Sequence, residues 1–346
     1  MSDVFKAGVL ATFGLVEGYA FAKSGIVTPQ MFRDQMTFES MGIMKLFLSA
    51  VGCSMVFQSI MAWVMPTKFE PSRFYTYSSV GYPRAMSGCF TLGVGMFIAG
   101  SGPTMIPAQI GAGVLNAAYI VLGGMIGGAV FAMIEPTVFS KPIPKATREE
   151  TSLDGVLKTS YSNVAMPFGL ALIGASLGLE ALFPHSPDIA RIAGINIPGA
   201  MIPTLAGLTV GFNQIPIRYI TNDGQGGSSS VMTIISTLTG GKISPRHRAR
   251  KVSDAYQFFY VYVGTGLGAY LAVQSTNNYS IAPGFTPAIS MLGGALAIFG
   301  ARVANGCTCG HGISGMSELS LSSFAAGMSI FAGGICAGMV NKYILQ

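Results

Sequence analysis

Charge is what this sequence has least of. Only 10% of its 346 residues are Asp, Glu, Lys or Arg, and it holds one Trp and three His. Beside 50% apolar residues and 46 glycines, so little charge excludes an ordinary water-soluble domain of this length. The opening MSDVFKAG lacks a basic run leading to a small-residue cleavage site, so the first apolar stretch reads as retained. Five cysteines, odd in number and scattered through apolar stretches, do not form an extracellular disulfide framework and read as free thiols. There is no phosphate-cradling glycine loop, no Ser-His-Asp or Cys-His arrangement and no pair of carboxylates. An enzyme is therefore not expected, and no cofactor is implied.

What is abundant is apolar chain. Nine stretches, at 7–22, 43–64, 84–101, 113–134, 162–183, 197–213, 255–275, 286–305 and 321–344, are candidates to cross roughly 30 Å of hydrocarbon. The expected fold class is an all-α polytopic membrane protein with about nine transmembrane segments. Its formal charge of +6 is distributed unevenly. The loops 65–83, 135–161 and 214–254 carry Lys68, Arg73, Lys141, Lys145, Arg148, Lys158, Arg218, Lys242, Arg246, Arg248, Arg250 and Lys251. The opposite loops offer mainly Lys23, Arg33 and Arg191. This positive-inside bias puts the amino terminus on the cytoplasmic or matrix side of a bacterial or mitochondrial inner membrane. The cluster RHRARK (246–251) reads as a topology anchor touching anionic membrane lipids, with no nucleic-acid partner.

Landmarks recur in two halves. Gly14 to Ser24 (GLVEGYAFAKS) and Leu92 to Thr104 (LGVGMFIAGSGPT) have counterparts in Gly207 to Arg218 (GLTVGFNQIPIR) and Leu296 to Gly310 (LAIFGARVANGCTCG). Laid over each other, Gly18 meets Gly211 and Gly102 meets Cys307. Five crossings separate the first landmark from its counterpart, and an odd number inverts the second half. The expected organisation is a first repeat over 1–134, a polar linker over 135–161, a connecting helix and loop over 162–196, and a second repeat over 197–346. Inverted repeats place solute sites near the midplane, where helices break. Gly-Ser-Gly-Pro at 100–103, Pro107 and the glycine-rich run 306–315 supply such breaks, as short re-entrant helices meeting near the midplane. Gly123, Gly124, Gly127 and Gly128 read more simply as close helix packing.

The segment from Ala301 to Phe324, ARVANGCTCGHGISGMSELSLSSF, closely resembles the second-half signature of the YeeE/YedE family of sulfur-compound transporters. GVGMFIAG, the turn containing Pro103 and QIGAG at 109–113 resemble its first half. The resemblance implies transport of a sulfur compound such as thiosulfate, with cysteines on broken helices touching its terminal sulfur along a central pore. The family's first-half turn usually reads Gly-Gly-Cys-Pro, whereas this chain has Gly102 at the cysteine position and Ile26 and Val27 in the loop after the first segment.

The candidate substrate-binding residues are Arg302, Gly306, Cys307, Thr308, Gly310 and His311 in the second half, with Cys89, Ser101, Gly102 and Thr104 in the first. A thiol at Cys307 is a polarizable partner for a soft anion, and flanking glycines let backbone N–H groups form an anion nest. Arg302, an embedded charge, either attracts the anion or pairs with Glu318 or helix-end carbonyls. His311 is either a further donor or satisfied by local backbone. Cys307, Cys309 and His311 spell a C-x-C-x-H string, but no clear fourth ligand accompanies it and no metal site is expected. Cys89 faces the pore or packs in the core, and Cys53 and Cys336 are expected in the core. Glu17 either lines the pathway or pairs with Lys23. Two functions fit: a transporter or channel-like permease for a small sulfur-containing anion, or a transport-impaired homologue serving as a structural subunit of a larger membrane complex. In the second, 65–83 and 135–161 are the docking segments.

Overall fold

Each of the nine apolar stretches contains a helix, although 197–213 is helical only from Pro203 onward. The computed structural model describes residues 2–72, 80–139, 148–192, 194–282 and 284–345. Arg73, Lys141 and Lys145, the side chain of Arg148 and parts of both docking segments lie outside the described residues. The chain begins with α1 (Asp3–Lys23), the short α2 (Pro29–Met36), α3 (Gly42–Val64) and the short α4 (Pro66–Ser72). There follow α5 (Tyr82–Ala99), the short α6 (Met105–Gly111), α7 (Ala117–Val138) and the single turns α8 (Arg148–Thr151) and α9 (Leu153–Val156). Then come α10 (Tyr161–Leu182), α11 (His185–Arg191), α12 (Pro203–Thr221) and α13 (Ser228–Leu238). A continuous helical run is built from α14 (Tyr256–Phe258), a π-helical segment (Phe259–Thr265) and α15 (Gly266–Gln274). Last are α16 (Pro287–Val303), a π-helical segment (Thr308–Gly315) and α17 (Leu321–Val340).

One order of long and short helices appears twice. It runs through α1, α2, α3, α5, α6 and α7, and again through α12, α13, the 256–274 run, α16, the 308–315 segment and α17, with α10 between. Proline opens several of these helices, at Pro29, Pro83, Pro203 and Pro287, where the missing N–H costs nothing.

Among the described residues five helices are long and apolar enough to cross a bilayer: α1, α3, α7, α10 and the run Leu321–Ile344. A sixth is gained if α16 and the 308–315 segment, bent by 49° to each other, count as one span. Helix α12 falls short because it carries Asn213, Gln214 and Arg218, all buried against protein. Lipid-directed surface is plain on α7, where Leu122, Ile126, Val130 and Met133 are exposed along one face. Cys336 on α17 is likewise exposed, correcting the expectation of a core position. The physical reason is that lipid and protein core accept the same apolar side chains, so composition does not tell them apart.

Helix α16 lies between α5 and α7. Contact is close enough that a side chain at Gly123 or Gly127 would strike the α16 backbone at Met291 or Ala295. Gly124 and Gly128 instead face Ile298, Ile235 and Met232 side chains. Helix α3 packs on α12, α17 on α5, and α1 on the 256–274 run, so the principal packing runs between the early and late parts of the chain.

Candidate functional site

Helix α5 stops at Gly100, whose φ of 63° closes the helix in the left-handed conformation that a residue without Cβ adopts cheaply. The turn that follows is tied down by Gln109 of α6, whose Nε2 donates to the carbonyls of Gly100 at 2.9 Å and Val27 at 3.0 Å. Ser101 is buried, with its hydroxyl on the Gly102 carbonyl at 3.3 Å.

Helix α16 ends in a matching break. The Gly306 N–H reaches back to the Ala301 carbonyl at 2.9 Å, and Asn305 takes a φ of 55°. Cys307 is extended, and the chain re-enters helix at Thr308. Gly306 has no room for a side chain, because a Cβ would lie 2.6 Å from Cδ2 of His311. The His311 ring is occupied on both nitrogens, Nε2 with the Ala304 carbonyl at 3.0 Å and Nδ1 with Ser323 Oγ at 3.3 Å. His311 therefore braces the break.

The two breaks meet. Thr104 Oγ1 and Cys309 Sγ are 2.9 Å apart, and a Cβ placed on Gly102 would come within 4.0 Å of Thr308 Oγ1. Thr308 itself donates to Met96 Sδ at 3.1 Å. A third element, the loop 222–227 between α12 and α13, joins them. Gly227 sits against Thr104 so closely that a Cβ would press on its methyl group, and the Gly227 N–H donates to Cys307 Sγ at 3.3 Å. The C-x-C-x-H string thus diverges: Cys307 turns to Gly227, Cys309 to Thr104 and His311 to Ser323 and Ala304. Among the described residues no group of three or more His, Cys, Asp or Glu is arranged to hold a metal.

A cavity of about 190 Å³ opens onto this junction. Arg302, Gly306, Cys307 and Gly310 line it, together with Gln225, Gly226 and Ser228 of the loop 222–227 and the start of α13. Asp223, His247 and Gln257 also line it. The volume suits a small oxyanion with a few waters, each water occupying roughly 30 Å³. Arg302 is nine-tenths buried, with its Nε unpaired and Nη2 at 3.4 Å from His247 Nε2. It does not pair with Glu318, which is bound instead by the buried Arg218. Burial, reinforced by the nearby Arg302 and Arg246, pushes the His247 imidazole from 6.5 down to about 3. A neutral His247 accepts from Arg302 and leaves the guanidinium charge facing the cavity.

Of the residues expected at a site, Arg302, Gly306, Cys307 and Gly310 line the cavity, and Ser101, Gly102, Thr104 and Thr308 lie at the junction behind it. Cys89 lies in the apolar cluster with Leu92 and Met96 and does not line the cavity. Gly227, Gln225 and His247 are not among the residues expected from the sequence, in which 214–254 reads as one polar loop. The run GQGGSSS, at the place after α12 where Ser24 to Thr28 follow α1, is the signal that could have found them. Glu17 does not pair with Lys23, whose Nζ bonds the Pro198 carbonyl and Thr276 at 3.1 and 3.2 Å.

With the two breaks, the cavity and the apolar helices in place, comparison with known families finds that the sulphur transport family model matches residues 23–336. The chain belongs to the sulphur transport (YeeE/YedE) family. No curated protein matches it. Family membership and the apolar spans together make the chain an integral membrane protein of a sulfur-compound transport family. Both Cys307 and Gly102 fall within the matched residues.

Proposed function

We propose that this protein is a permease for a small sulfur-containing anion such as thiosulfate, which binds with its soft terminal sulfur toward Cys307 and its charged end toward Arg302. The observation that carries the reading is the cavity lined both by a buried, incompletely paired guanidinium and by a thiol. A thiol is weakly donating and polarizable, and a desolvated guanidinium is a strong donor to oxyanions, so the pair is complementary to an anion with one soft and one hard end. Nine crossings, with the second half inverted and the amino terminus in the cytoplasm or matrix, account for the repeated helix order and the basic loops.

Uptake of radiolabelled thiosulfate into liposomes holding the purified protein tests the reading. Uptake that disappears in Cys307→Ala supports it; full uptake by that variant counts against the thiol's role.

A second reading is favoured by Gly102, which stands where the family usually has cysteine and faces Met96, Phe32 and Thr308. In that reading transport is lost and the protein is a structural subunit of a membrane complex. Stoichiometric partners retained through purification in mild detergent, with no thiosulfate uptake, are its expected outcome.

A further inference from the structure

Glu17 is the residue the permease reading leaves unexplained. It lies two-thirds of the way along α1, fully buried, and among the described residues no cation lies within ion-pair distance. Its partners are all uncharged. Tyr260 and Asn213 donate to Oε2, Asn213 at 3.3 Å, and Gln225 donates to Oε1 at 2.9 Å. A carboxylate at bilayer depth held by three donors rather than a cation marks a functional position.

The bonding continues beyond Glu17 in one direction. An ionised carboxylate only accepts, so the Gln225 amide must turn its NH2 toward Glu17 and its oxygen away. That oxygen accepts from Gln214 Nε2 at 3.0 Å. The Gln214 oxygen, now also facing away, accepts from Ser314 Oγ at 3.0 Å. The donor order of the whole chain, from Ser314 on the broken second-half segment to Glu17 on α1, is set by the charge at its end. Gln225 lines the cavity, and two residues later Gly227 donates to Cys307. Protonation of Glu17 places the proton on Oε2, where the Tyr260 hydroxyl can rotate to accept it, and leaves Oε1 a neutral carbonyl, a weaker acceptor for the Gln225 NH2 than a carboxylate. The clasp that Gln225 makes between the loop 222–227 and Glu17 then loosens.

We propose that Glu17 is a proton-binding site coupled to the solute cavity, its occupancy setting whether Gln225 holds the loop that closes over Cys307. In the permease this makes proton and anion move together, and a co-moving proton offsets the charge an anion carries toward a negative interior. That consequence rests on the permease reading, whereas the proton site itself does not. The titratable groups facing Glu17 are Tyr260 from the 256–274 run and Cys309 from the broken segment. On α12, Arg218 is engaged by Glu318, and on α1 Lys23 is held by Pro198 and Thr276. Asp223 of the loop accepts from the Gly224 N–H at 2.7 Å.

Two measurements on the reconstituted protein test this. N-ethylmaleimide labelling of Cys307, read by mass spectrometry, is compared in wild type and Glu17→Gln at about pH 5 and about pH 9. The ratio of the two rates cancels the ionisation of the thiol itself. Expected is a wild-type rate that falls about fivefold relative to the variant as pH rises and the clasp forms, within the usual range of coupling between sites. Should Glu17→Gln fail to fold, Gln225→Ala, which cuts the chain at the loop, serves as the comparison. In parallel, thiosulfate is added to liposomes enclosing a pH-sensitive dye, with the expectation that uptake is accompanied by protons in wild type and not in Glu17→Gln. A rate ratio that does not change with pH overturns the proton site, whether or not thiosulfate is carried. A pH-dependent ratio without uptake supports the proton site and removes the permease reading instead.

Discussion

Thr104 and Cys309 touch, their Oγ1 and Sγ atoms 2.9 Å apart, although 205 residues separate them. Through this contact the break after α5 and the break after α16 form one junction. Irregular backbone survives at membrane depth only where protein or a water-filled cavity satisfies it, and here Gln109 bonds the Gly100 carbonyl at the first break and His311 the Ala304 carbonyl at the second, while the loop 222–227 reaches Cys307. The site is therefore a joint product of three segments, and disturbing any of them has readable consequences.

Replacing Arg302 by Gln removes the guanidinium that lines the cavity together with Cys307. Loss of a charge-assisted hydrogen bond of about 1.5–3 kcal/mol weakens thiosulfate binding by roughly one to two orders of magnitude. Isothermal titration in detergent reads this directly, and unchanged affinity would show that the guanidinium only braces His247.

Gly227→Ala drives a methyl group into the side chain of Thr104. Overpacking of this kind costs about 1–3 kcal/mol, and it displaces the N–H that reaches Cys307. Because Cγ2 of Thr104 is the nearest atom, Thr104→Ser in the same chain removes that obstacle while keeping the hydroxyl on Cys309. Thermal unfolding of the two single variants and the double variant should show partial rescue. Additive losses would contradict the contact.

The His247 imidazole, held down to about 3 against an ordinary 6.5, stays neutral in the fold. Between these two values the unfolded chain takes up a proton that the folded chain refuses. Its contribution to stability is therefore complete above about pH 6.5 and is lost progressively as pH falls toward 3. Melting temperatures of wild type and His247→Gln, followed across that window, should show wild type losing more than the variant; parallel curves would contradict the assignment.

Gly102 has space for the thiol that its family usually carries there. A Cβ would meet first the flexible end of Met96 at 3.4 Å, then Phe32 at 3.9 Å. Gly102→Cys is expected to fold with a melting temperature within a few degrees of wild type, ΔΔG staying below about 1 kcal/mol. It should also raise thiosulfate uptake by adding a second soft contact beside Thr308. Unfolding, or uptake lowered, would show that the first-half turn is built to exclude a side chain.

Which parts were legible in the sequence follows from the range of each interaction. The breaks were readable because Gly100 to Pro103 and Gly306 to Gly315 are local interruptions of apolar chain. Cys307 and Arg302 were readable because a thiol in a glycine run and an embedded charge are each rare. The partner of Glu17 was not, since Gln225 stands 208 residues away and no local rule selects it over Lys23. Nor was the role of the loop 222–227, because a run of Gly, Gln and Ser has the composition of a solvent loop wherever it lies. Cys336 shows the same limit from the other side, since an apolar helix facing lipid has no polar stripe to reveal which face is outward.

A sulfur-containing anion seated in the cavity against Cys307 would shield that thiol from modification. Purified protein is treated with N-ethylmaleimide in the presence of increasing thiosulfate or sulfate at equal ionic strength, and Cys307 modification is read by mass spectrometry. Thiosulfate is expected to slow modification in a saturable manner, sulfate, lacking a soft terminal sulfur, to do so far less, and Arg302→Gln to abolish the protection. Modification of Cys307 at the same rate with and without saturating thiosulfate would contradict this placement of the anion.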